Sequence, residues 1–131
     1  MKKKNFLFAT LILAVAFLLN SCFHHHHDIS VHINDDEDVY RMRANFDEDQ
    51  TREVQRIINA HLQQHHSLSL IHGYTDEEIT LADGTNFYIK SAPGRLKINI
   101  DKTENPEEGC ENVKEMCDEI SNVLAGKKKY Q

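Results

Sequence analysis

EEITLADGTNFYIKSAPGRLKINI, residues 77–100, is the stretch whose reading decides the fold. Ile79 and Leu81, then Phe87 and Ile89, then Leu96, Ile98 and Ile100 alternate with polar residues, the period of strands buried on one face. Asp83-Gly84 is a pair favoured in tight hairpin turns because both residues tolerate positive φ. Pro93-Gly94 suits the two central positions of a type II turn. Three strands on short connections predict an antiparallel meander.

Outward from this meander, Ile29, Val31 and Ile33 alternate with Ser30 and His32, and Tyr40, Met42, Ala44 and Phe46 alternate with Arg41, Arg43 and Asn45. The polar run Asn34-Asp35-Asp36-Glu37-Asp38 between them predicts a hairpin. Asp47 with Gln50 three residues on has the pattern of a capping box, and Glu48 and Asp49 complement the helix dipole. Val54, Ile57, Ile58, His61, Leu62 and His65 then share one helical face, predicting a helix from about Glu48 to about His65. Residues 67–74 are too short to classify, and Gly73 stops any continuation. Asn105-Pro106-Glu107-Glu108 predicts the start of a second helix, with Asn105 as its cap, and Cys110, Val113, Cys117, Ile120 and Leu124 form its apolar stripe. Gly126 ends it. The order ββαβββα predicts an α+β domain over residues 29–126, an antiparallel sheet of about five strands with two amphipathic helices packed on one face. The other face is then open. Tyr88, flanked by outward Asn86 and Lys90, and outward Arg41 and Arg43 are candidates for a partner surface there, although a solvated sheet carries such residues too.

The N-terminus decides the compartment. Lys2, Lys3 and Lys4 precede an apolar run from Phe6 to Leu19, followed by Leu19-Asn20-Ser21-Cys22. This is the outline of a secretion leader. Fourteen residues at about 1.5 Å each span roughly 21 Å, short of the roughly 30 Å hydrocarbon core. Leu19, small Ser21 and Cys22 resemble the lipobox of bacterial lipoproteins, and the resemblance covers residues 1–22 alone. It implies that residues 1–21 are a signal peptide, that the Cys22 sulfur receives a diacylglyceryl group, and that the new amino terminus is acylated. Several acyl chains at about 0.8 kcal/mol per buried CH₂ make a stable anchor. The resemblance places the protein in the bacterial cell envelope. Phe23, not Asp, follows the cysteine, which by the same resemblance favours the outer membrane of a Gram-negative cell.

Loss of the leader leaves 110 of the 131 residues, enough for one modest core. The leader takes three of the fifteen basic residues and no acid, so twelve remain against twenty-one acidic, a formal charge of −9. That sign and the compartment argue against nucleic acid as a partner. Lys127, Lys128 and Lys129 form a basic tail over residues 127–131. Cys110 and Cys117 invite a disulfide in an oxidising compartment. Seven residues apart on one helix, however, their Cα atoms are about 10.5 Å apart, beyond the roughly 7 Å limit for a bridge. They are expected to be small buried apolar residues.

Nine histidines are present, four of them consecutive in the tether 22–28: His24, His25, His26 and His27, with Asp28 beside them. Such a run captures zinc or another divalent transition metal without a folded site, or serves as a solvated spacer. His61 and His65, four apart on the first helix, also have metal-ligand spacing, but near a helix C-terminus a surface role accounts for them. The acids 35–38 lack the spacing of an EF-hand loop. No His-Glu-x-x-His helix, Gly-x-Ser-x-Gly elbow, phosphate-cradling glycine loop or Cys-x-x-Cys pair is present. The expectation is a non-enzymatic lipid-anchored module that binds another envelope component or has an accessory structural role. The rival is a metal-capturing or metal-sensing lipoprotein using His24 to His27.

Overall fold

The computed structural model describes residues 28–67 and 70–126. Cys22 and the cluster His24 to His27 lie outside the described residues. Five strands form one antiparallel sheet: β1 Ser30–Asp35, β2 Val39–Asn45, β3 Thr75–Thr80, β4 Asn86–Ala92 and β5 Arg95–Asp101. Two helices follow the expected order, α1 Thr51–Gln64 and α2 Glu107–Leu124. The strands lie in the order β1-β2-β5-β4-β3, so the meander supplies one side of the sheet and the first hairpin docks on β5.

Alternation sets which side is covered. Ile89, Ile98 and Met42 lie opposite one another on β4, β5 and β2, and all are inaccessible to solvent. The stripes Val54, Ile57, Ile58 and Leu62 of α1 and Val113, Met116, Cys117 and Ile120 of α2 close over them. Cys110 and Cys117 are buried free thiols, and loss of water pushes the Cys117 thiol up to about 12. The edge strand β1 gains less cover than its alternation suggests. Ile33, opposite Met42, remains 44% exposed.

The cap readings are corrected. Asp47 makes no side-chain cap, and its carbonyl accepts from the Gln50 N–H at 2.9 Å, so a 3-10 turn at Glu48–Gln50 precedes α1. The Thr51 hydroxyl instead accepts the Gly94 N–H at 2.9 Å, tying the start of α1 to the β4–β5 turn. There φ is +72° at Gly94, as a type II turn needs. Pro106, not Asn105, is the cap residue of α2. The Asn105 side chain is engaged elsewhere, accepting the Asn86 N–H at 2.7 Å and donating to the Asp101 carbonyl at 2.6 Å. The Asp83-Gly84 turn belongs to a five-residue loop, 81–85, closed by Leu81 N–H to the Thr85 carbonyl at 2.8 Å. The sequence alone did not classify residues 67–74, and in the structure Ile71 enters the core. Asn59 of α1 holds it by its backbone, donating to its carbonyl and accepting its N–H, each at 2.7 Å.

Candidate functional site on the open sheet face

The face away from the helices is polar, and strand register makes it legible row by row. One row runs Glu78, Tyr88, Asn99, Arg41, Asn34 across β3, β4, β5, β2 and β1. The next runs Asp76, Lys90, Lys97, Arg43, His32. A third runs Ala92, Arg95, Asn45, Ser30.

The middle row places three like charges on adjacent strands. Directly opposed like charges destabilise a sheet, by about 0.2–1 kcal/mol per pair. Two of the three are partly relieved: Lys90 Nζ lies 3.8 Å from Asp76 Oδ2, and Lys97 Nζ lies 5.8 Å from the centre of the Tyr88 ring. Arg43 has no ion pair among the described residues. With Arg95 beside them, these side chains make one end of the face basic. The acids Glu107, Glu108, Glu111, Glu115, Asp118 and Glu119 lie on α2.

At the other end, near Val39 and Asp101, the face hollows into a groove of about 470 Å³. Arg41, Glu78, Tyr88, Asn99, Asp101 and Glu104 line it. The size falls within the 300–1,000 Å³ typical of small-ligand sites. Tyr88 donates its hydroxyl to Asp76 Oδ1 at 2.7 Å, which fixes the ring and holds the phenol above its ordinary pKa. Asp101 accepts the Thr103 hydroxyl at 2.6 Å and the Thr103 N–H at 2.8 Å, which keeps its carboxyl below the usual range. Asn99 Oδ1 is shielded from water and accepts no hydrogen bond. Arg41 has no ion pair among the described residues. A guanidinium fork opening on the groove can receive a ligand that carries an anionic group.

The residues singled out from the sequence are only partly brought together. Arg41 and Arg43 are exposed on the open face as expected. Tyr88 is half-buried, and its cross-strand neighbours are Glu78 and Asn99. His61 sits between the helices with Nε2 2.8 Å from Glu119 Oε2, a helix–helix contact, and it lines the same small cavity as His65. Among the described residues, no three His, Cys, Asp or Glu side chains converge as metal ligands. Asn99 and Glu104 carry no signal of their own in the sequence, and Glu78 reads there, with Asp76 and Glu77, as a polar strand approach and not a general acid/base pair. The strand period does place Glu78 and Asn99 outward, but only register puts them in one groove with Glu104.

Compared with protein-family models, curated proteins and solved structures, the chain matches none.

Proposed function

We propose that this protein is a lipid-anchored, non-catalytic binding module of the bacterial envelope, held by acyl chains on Cys22 and receiving a polar partner in the groove of its open sheet face. The observation that carries the binding half is the groove itself, into which the exposed Arg41 guanidinium opens with no ion pair among the described residues. The leader and its lipobox resemblance support the anchoring half.

A photoreactive residue in place of Asn86, on the groove rim, tests this in intact envelopes. It is expected to give a specific adduct by mass spectrometry that weakens when Arg41 is changed to Ala, whereas the same residue in place of Glu115 on the helix layer gives none. Equal labelling at both positions, or labelling indifferent to Arg41→Ala, would overturn the assignment.

A further inference from the structure

We infer that the basic end of the open face, carrying Arg43, Lys90, Arg95 and Lys97, rests on the anionic phospholipid headgroups of the membrane that holds the chain, so that the groove points away from the bilayer. The inference rests on the lipid anchor at Cys22.

Two observations select this occupant. First, the polypeptide enters the fold at the basic end: β1 begins at Ser30, which pairs with Asn45, whose other neighbour is Arg95. Asp28 lies six residue steps beyond Cys22, the lipid-bearing position. At most about 3.6 Å per residue, they reach roughly 22 Å, so the entry point stays within a few Debye lengths of the headgroups. Second, the charges are sorted. Lys90, Lys97 and Arg43 stand on adjacent strands with a single acid, Asp76, at the end of their row. Near an anionic surface their mutual repulsion is offset, and a surface potential attracts each of them. The acids of α2 lie on the opposite layer, and bringing that layer to the same surface would be repulsive. The groove, built around Asp101 and Glu104 at the far end of β5, is thereby turned toward the partner's side.

The test uses the full mature chain with its lipid, inserted into vesicles of phosphatidylcholine alone or with added phosphatidylglycerol. Acetylation rates at single lysines are read by mass spectrometry. Lys90 and Lys97 are expected to react about threefold more slowly or less in the phosphatidylglycerol vesicles, with the difference abolished by high salt. Lys102 and Lys114, paired with Asp35 on the other side, keep one rate in both. Arg43→Gln with Lys97→Gln should lose the protection at Lys90 while circular dichroism shows the same fold. Equal rates at Lys90 in both compositions, with the chain fully vesicle-bound, would overturn the proposal and leave the anchor standing. Protection in native envelopes but not in phosphatidylglycerol vesicles would overturn it in favour of a protein or polysaccharide partner. A chain isolated from membranes with no lipid on Cys22, or one that floats equally well once its lipid is removed, would defeat the anchor.

Discussion

Gly109 shows how far a single position depends on packing. It stands in the first turns of α2, where alanine would ordinarily be better by about 1 kcal/mol. A Cβ there would lie 1.8 Å from Thr85 Oγ1 in the β3–β4 loop, so the helix can approach the sheet only through a residue with no side chain. Gly109→Ala is therefore expected to destabilise by about 1–3 kcal/mol, read as a lower urea midpoint with an unchanged slope. Nothing in the sequence pattern announces this requirement, because the partner is twenty-four residues away. Gly94 is the opposite case. The Pro93-Gly94 pair gives its turn away in the sequence, and the structure adds that a Cβ would also meet the Phe46 carbonyl at 2.7 Å. The groove residues resemble Gly109: Asn99 reads as one more outward polar residue until register places Arg41 on one side of it and Tyr88 on the other.

At the scale of elements, the alternations and helical stripes sufficed for ββαβββα, since each strand and helix carries its own periodicity. The element ends were less legible. Asp47 and Asn105 are good caps by type, but the first turn of α1 is instead fastened by Thr51 to Gly94, and Asn105 is recruited to bridge Asp101 and Asn86. The contacts to Gly94 and Asn86 span 43 and 19 residues, so local propensity could not announce them. The edge strand β1 is linked to α2 by charge. Asp35, at the end of β1, accepts a hydrogen bond from Lys102 and lies 3.2 Å from Lys114 of α2. The Lys102 bond first, then that of Lys114, holds the Asp35 carboxyl below its ordinary 3.8. With the folded pKa depressed, its stabilising contribution is present above the unfolded value and is lost as pH falls through the folded one. Melting temperature is therefore expected to fall as the pH drops below about 4, and Asp35→Asn should lower it at neutral pH and flatten that acid-side slope. An Asp35→Asn profile parallel to the parent's would show that the latch contributes nothing.

For the whole molecule, the formal charge of −6 hides its distribution. Strand alternation collects Arg41, Arg43, Lys90, Arg95 and Lys97 on one face, while α2 carries acids outside the other. The composition argues against a polyanionic partner for the molecule as a whole, yet one end of one face is basic, and it is the end where the tether arrives. The outward positions were visible in the sequence. Their grouping was not, because it needs the order β1-β2-β5-β4-β3, in which β2 and β5 become neighbours across fifty residues. Presentation of the groove and contact of the basic end with headgroups both depend on attachment of the chain at Cys22. Intact-mass measurement of the protein extracted from membranes tests this most directly. The expected mass is that of a chain beginning at Cys22 with a diacylglyceryl group on its sulfur and an acylated amino terminus. A chain that keeps residues 1–21, or one that begins elsewhere with no lipid, would contradict it.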